Sequence, residues 1–169
     1  FGIIRSLSIK TIKTENENIR KGLTFLDGLS ESEILVVKGS NQFAYFGELM
    51  TRLSINKNLP GTIIDGLTRD SFYTKTTNFP IFARGYSPVD IKGRGRVEDT
   101  DLEFKINDVV IIPGDYIFAD NDAIVVIPKL ILENHYENFN EAAKKEEETK
   151  KLIQKEISVN DLLNNVNEF

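Results

Sequence analysis

Four residues of this sequence could jointly handle a small anionic ligand: Gly47, Glu48, Arg69 and Asp70. Gly47-Glu48-Leu49-Met50 reads as the opening of a helix. The first amides of a helix lack intrahelical partners and sit at its positive end, so they receive carboxylates and phosphates readily. A glycine at the entry lets a ligand approach the backbone. Arg69-Asp70 follows after an interval of twenty residues, 49–68, and adds a cation beside a second carboxylate. Taken singly, Arg69-Asp70 is a turn salt bridge, Glu48 stabilises the helix dipole, and Gly47 says little. Together they make an anion receptor flanked by one cation and two carboxylates.

Two elements must bring these residues to one place. A helix of about ten residues carries the chain roughly 15 Å away. The strand and its exit, Thr62–Thr68, return over a similar distance at about 3.3 Å per residue. Arg69 and Asp70 are therefore predicted to lie level with Glu48, at the carboxyl ends of the strands, where ligands of open α/β units collect.

Around this unit the sequence predicts a strand over residues 3–13, with Leu7, Ile9 and Ile12 in alternation. Asn16 and Asn18 are caps for a helix burying Ile19, Leu23 and Leu26. Ile34–Val37 is a strand covered on both faces, and Lys38–Phe46 a loop. The helix from Glu48 buries Leu49, Met50 and Leu53 and stops at Pro60-Gly61, before the strand Thr62–Asp65. Strand, crossover helix and strand make a parallel βαβ unit. Short strands follow at Pro80–Arg84, Arg94–Glu98, Leu102–Lys105, Val109–Ile112, Tyr116–Ala119 and Ile124–Ile127. The chain turns helical from about Pro128, and its charged run Lys144–Lys151 reads as a solvated face. The fold class is α/β with a C-terminal helical tail, divided as 1–132 and 133–169.

Composition narrows the chemistry. The 169 residues include no cysteine, which excludes disulfides, thiolate zinc sites and thiol nucleophiles, and one histidine, His135, which excludes histidine-rich metal centres. A net charge of −5 has the wrong sign for sequence-independent nucleic-acid binding. No apolar run approaches a membrane span and no signal peptide is visible, so the expectation is a cytoplasmic chain with no nucleic-acid or membrane partner, whose start lies upstream of Phe1. Other candidates read more plainly. Gly93-Arg94-Gly95-Arg96 is a hairpin loop, and Asp120-Asn121-Asp122 is a turn lacking the glycine and glutamate of a calcium loop. His135 reads as an exposed side chain. Phe43, Tyr45 and Phe46 are core or subunit-contact residues, which a lone protomer would expose beside the site.

Gly47-Glu48-Leu49, the run Pro60–Asp70, Pro80–Gly85, and Pro113–Asp120 with Ile124–Pro128 behind it resemble the RraA-like family. That family includes 4-hydroxy-4-methyl-2-oxoglutarate aldolases, which also decarboxylate oxaloacetate, and the regulator of ribonuclease E activity. The resemblance spans residues 1–132 and implies a swivelling β/β/α domain, assembled as a homotrimer or a dimer of trimers with sites between subunits. In the aldolase branch an acidic residue stands twenty residues before Arg-Asp, the spacing of Glu48 to Arg69 here. Carried over, Asp70 would bind the divalent cation and Arg69 would face the substrate carbonyl oxygen. Glu48 would hold a water of the cation's shell, and the amides of Gly47, Glu48, Leu49 and Met50 would receive the substrate carboxylate. Glu48 is a methylene longer than the usual aspartate, and Ala123 replaces a common glycine. The acid that a neighbouring subunit supplies in aldolases has no counterpart identified in this tail.

The chemistry of the residues agrees with that assignment. Cleaving a C–C bond beside a carbonyl leaves an enolate, whose oxygen needs an electrophile, either a lysine Schiff base or a metal ion. No lysine lies in the buried strand runs of the βαβ unit. One carboxylate with several waters suits Mg²⁺, or Mn²⁺. The expected function is a metal-dependent aldolase or decarboxylase acting on a small 2-oxo acid. The alternative is a non-catalytic regulator that binds an RNA-processing enzyme or another protein; Asp70, typically absent from the ribonuclease regulators, favours the enzyme.

Overall fold

In a computed structural model, residues 1–12, 19–155 and 158–165 are described. They form two compact units, Phe1–Lys129 and Leu130–Phe169. The first is built from β1 (Gly2–Thr11), α1 (Ile19–Asp27), β2 (Glu33–Lys38), β3 (Ala44–Phe46), α2 (Glu48–Asn56), β4 (Thr62–Thr68), α3 (Ser71–Thr76), β5 (Ile81–Tyr86), β6 (Gly95–Thr100), β7 (Phe104–Ile106), β8 (Val109–Ile111), β9 (Tyr116–Ala119) and β10 (Ile124–Ile127). The second holds α4 (Lys129–Gln154), which begins at the boundary, and α5 (Val159–Asn165).

Eight strands form one mixed sheet in the order β10-β9-β1-β2-β4-β3, with β5 also on β4 and β6 also on β1. The predicted βαβ unit is present, since β2 and β4 pair in parallel from Leu35 opposite Thr62 to Lys38 opposite Asp65. Alternate residues of β2 serve two cores, as a strand buried on both faces must. Leu35 and Val37 join Leu26, Met50, Phe43 and Phe46 on the helical side. Ile34 and Val36 join Ile63, Phe104, Ile111 and Ile117 beneath the β7–β8 hairpin. Helices, sheet and hairpin are thus stacked as an α layer on two β layers.

Three expectations are corrected. Lys38–Phe46 is not loop throughout, because Ala44–Phe46 is a strand beside β4. Phe43, Tyr45 and Phe46 are buried in the protomer's own core, so of their expected roles core packing holds and exposure beside the site does not. The buried faces of both helices are also rotated from prediction. In α1, Leu23 is exposed while Gly22 and Leu26 face the core. A Cβ on Gly22 would stand 3.0 Å from Val97 Cγ2, so glycine allows the close approach. In α2, Leu49 and Leu53 are exposed, and Met50, Thr51 and Ser54 are buried. Thr51 Oγ1 donates to the Gly47 carbonyl and Ser54 Oγ to the Met50 carbonyl, each at 2.9 Å. Those back-bonds satisfy the hydroxyls and let small polar residues pack where leucine was expected.

β1 ends at Thr11, and Asn16 and Asn18 lie outside the described residues, as does the Ile19 side chain. Ser71–Thr76 folds as a short helix that the sequence reading did not include. The second unit consists of α4, none of whose residues is buried, and α5. Lys150 and Glu146 pair one turn apart at 2.7 Å on the predicted charged face. No helix among the described residues is long and apolar enough to cross a membrane.

Candidate active site

The end of β4 and the start of α2 are tied together by backbone. Arg69 N–H donates to the Phe46 carbonyl at 3.0 Å, and Thr68 Oγ1 donates to the same carbonyl at 2.8 Å. This brings Arg69-Asp70 level with Glu48, as the length argument predicted. The Glu48 amide donates to Asp70 Oδ2 at 2.8 Å, and Arg69 Nε lies 3.6 Å from that oxygen.

Gly47 is required here by space. Its backbone is extended, open to any residue, but a Cβ would fall 2.6 Å from Arg69 Cγ and 2.9 Å from Arg69 Nε. Asp70 carries the conformational cost instead, standing in the left-handed region at φ 55°. Aspartate tolerates that region better than most residues. It occupies the N-cap position of α3 without capping it through its side chain, which releases the carboxylate toward α2.

Around this junction opens a cleft of about 540 Å³, lined by Glu48, Arg69 and Asp70 on one side and by Phe72, Tyr73 and Tyr86 among others. The first turn of α2 opens at its rim. One of the expected anion-receiving amides, that of Glu48, is occupied by Asp70. The Glu48 carboxylate turns along its own helix and accepts Arg52 Nε at 2.8 Å and Nη2 at 2.7 Å. Arg52 in turn stacks on Tyr73, 4.3 Å from guanidinium to ring centroid, and joins α2 to α3.

Asp90 was not among the sequence candidates. It lies in the segment after β5, and its Oδ2 accepts Arg69 Nη1. Burial pushes its carboxyl up, but the Arg69 hydrogen bond, the Lys92 amide and both positive charges outweigh that and hold it below the ordinary aspartate value. No local motif marks Asp90, since its pairing depends on how the β5–β6 segment folds back. Among the described residues no group of three His, Cys, Asp or Glu side chains is arranged to hold a metal. With Glu48 paired to Arg52, the Asp70 carboxylate is left on the polar side of a cleft whose other wall is aromatic, and it would suit a cation that keeps most of its waters.

The weaker candidates lie elsewhere. Asp120 Oδ1 accepts the amides of Asp122 and Ala123 at 2.8 and 3.0 Å, closing the β9–β10 turn. His135 is exposed on α4. A second cleft, about 530 Å³, lies between β4–β5 and the β7–β8 hairpin. Its walls are largely aliphatic, and its arginine, Arg84, is paired with Asp65 and Asn107.

Comparison with known proteins agrees with the fold. The family model described as RraA-like (Aldolase/RraA) matches residues 8–126. Over 106 residues the chain is 31% identical to Protein DlpA of Legionella pneumophila, covering 62% of this chain and 17% of that protein. Over 133 residues it is 31% identical to the "Putative 4-hydroxy-4-methyl-2-oxoglutarate aldolase" of Halalkalibacterium halodurans, covering 78% of this chain and 61% of that one. The crystal structure of Streptomyces coelicolor RraAS2, described as an unusual member of the RNase ES inhibitor RraA family, superposes with a TM-score of 0.73 at 22% identity, covering 88% of this chain and 75% of that one. The chain therefore spans less than two thirds of the length of either of those two sequence relatives.

Proposed function

The chain belongs to the RraA-like family, and from that premise we propose that it is a divalent-metal-dependent lyase acting on a small 2-oxo acid. The reaction is retro-aldol cleavage of substrates of the 4-hydroxy-4-methyl-2-oxoglutarate type, oxaloacetate decarboxylation, or both. One observation carries the reading: Asp70, Arg69 and the opening of α2 meet at one cleft, with the Glu48 amide 2.8 Å from Asp70 Oδ2. Relatives named for the aldolase support it.

In this reading the amides of Leu49 and Met50 receive the substrate carboxylate. Asp70 holds Mg²⁺ or Mn²⁺, which when bound polarises the 2-oxo carbonyl. Arg69 faces the carbonyl oxygen and stabilises the charge that grows there as the C–C bond breaks and its electron pair passes into the enolate of pyruvate. The other fragment leaves as CO₂, or as a second carbonyl once water takes its hydroxyl proton, and water protonates the enolate. Glu48 orients water at the rim. The test is pyruvate release from a panel of 2-oxo acids with and without Mg²⁺, corrected for the metal's own decarboxylation of oxaloacetate. No release above that background from any substrate refutes the reading.

The proposed assembly is a homotrimer or a dimer of trimers. The exposed apolar side chains Leu49, Leu53 and Phe72, the last 86% exposed beside the cleft, support contact with further subunits. Light scattering at micromolar concentration is expected to give a multiple of three, and a stable 19 kDa monomer refutes it. The same patch favours a second reading, a regulator that docks on an RNA-processing enzyme or another protein. Protein binding with no metal-dependent pyruvate release would decide for it.

A further inference from the structure

Arg69 is held on three sides. Gly47 packs against its Cγ and Nε with no room for a Cβ. Its Nε is buried without a hydrogen bond among the described residues, 3.6 Å from Asp70 Oδ2. Its Nη1 donates to Asp90 Oδ2. Nη2 likewise has no acceptor among the described residues, and Arg69 lines the cleft.

Asp90 is itself placed before any ligand arrives. Its Oδ1 accepts the Lys92 amide at 2.9 Å, which fixes the side chain in a tight turn. Its backbone bridges Ala44 in parallel, and the Ala44 amide donates to the neighbouring Val89 carbonyl at 2.8 Å. Ala44 is fully buried at the start of β3. The carboxylate is therefore referenced to the core rather than to the mobile end of an arginine, whose long side chain otherwise samples many rotamers.

We propose that Asp90 is a positioning residue, which clamps one edge of the Arg69 guanidinium so that Nη2 is presented to a substrate oxygen in the cleft. Its effect on turnover rests on the lyase reading, whereas the placement rests on geometry alone. Asp90 stabilises no charge on the substrate itself; its own negative charge would oppose an enolate. Its value lies in orientation, and orientation errors of about 1 Å cost on the order of 10²-fold in rate.

The test uses the full chain and two readouts. Asp90→Asn keeps an acceptor for the Lys92 amide and removes the charge; Asp90→Ser does the same with a smaller group if the first variant folds poorly. Pyruvate release with Mg²⁺ is expected to fall about 10- to 100-fold in kcat with KM little changed, as for a contact realised in the transition state. Nitrogen-15 spectra of the arginine side chains should show resolved, slowly rotating Arg69 Nη signals in the wild type and averaged ones in the variant. Unchanged Arg69 signals, or an unchanged kcat in an active enzyme, overturns the proposal. If the wild type releases no pyruvate, the lyase reading fails by itself, and the Arg69 signals alone decide the clamp: averaged in the variant they uphold it, unchanged they overturn it.

Discussion

Asp70 Oδ2 accepts the Glu48 amide hydrogen at 2.8 Å, so residues 22 positions apart share one hydrogen bond at the cleft. That bond joins the end of β4 to the first turn of α2, and it explains two oddities of the backbone. Asp70 adopts a left-handed conformation, and its side chain turns back toward α2 rather than capping its own helix. Gly47 precedes Glu48 because any Cβ there would displace Arg69 or Asp70. Three residues with separate local readings are one mechanical unit.

Asp70 is expected to be required for cation binding. Calorimetric titration of the wild type with Mg²⁺ should show binding, and Asp70→Ala should lose most of it. Loss of the Glu48 bond alone would shift the melting temperature, so thermal unfolding is measured alongside. Equal heats in the two proteins would remove Asp70 from the cation site.

Arg69→Ala is expected to lower pyruvate formation about 10²- to 10³-fold, the usual effect of removing one charge-stabilising group from a transition state. Arg69→Lys should be nearly as damaging, because an ammonium cannot reach Asp90 and a substrate oxygen with one planar fork. Melting temperature should fall modestly, because Asp90 loses its partner, with the fold retained. Full turnover in Arg69→Ala would dispose of its catalytic role, and a collapse of folding would return it to a structural salt bridge.

Tyr45 offers a test independent of function. Its hydroxyl is buried with no hydrogen-bond partner among the described residues, and burial pushes its ionisation well above the usual tyrosine value. Tyr45→Phe keeps the ring and removes an unpaired polar group, so stability is expected to hold or to rise by about 1 kcal/mol. The denaturant midpoint reads this directly; a clear drop would mean that the hydroxyl has a partner.

Acid stability should carry the signature of Asp90. Its folded-state pKa lies below the ordinary value of 3.8. A depressed carboxylate contributes stability that is present above the unfolded value and lost as pH falls through the folded one. Glu33 and Asp120 are depressed as well, so the wild type loses stability at acid pH through several groups. The melting-temperature difference between wild type and Asp90→Asn isolates one of them: it should be largest above about pH 4 and shrink as pH falls below it. A difference independent of pH would assign Asp90 no ionic role.

Much of this was legible in the sequence because it depends on period and length. Ile34–Val37 reads as a strand buried on both faces, and the reach of one helix and one strand placed Asp70 beside Glu48. The four family blocks pointed to the fold. The burial of Thr51 and Ser54 was hidden, since hydroxyls bonded to their own helix behave as small apolar groups, a property no hydropathy pattern shows. Phe43, Tyr45 and Phe46 looked like loop residues because three residues are too few for a visible alternation. Asp90 was invisible for another reason: its partner, Arg69, lies 21 positions away, and only the path of the segment after β5 brings them together.

Among the described strands, β1 comes first in the sequence and is completed among the last. β1 pairs with β2 on one side, but its other neighbours, β6 and β9, lie near the opposite end of the first unit. Arg5 binds Asp101, 96 positions later. At about 5–20 residues per second of translation, the nascent β1 waits on the order of ten seconds with Ile4 and Leu7 unshielded on that flank. Such non-local closure also slows refolding. The long-range pairing that completes the sheet around β1 thus leaves that flank of the strand without its neighbours until residue 119 has left the ribosome.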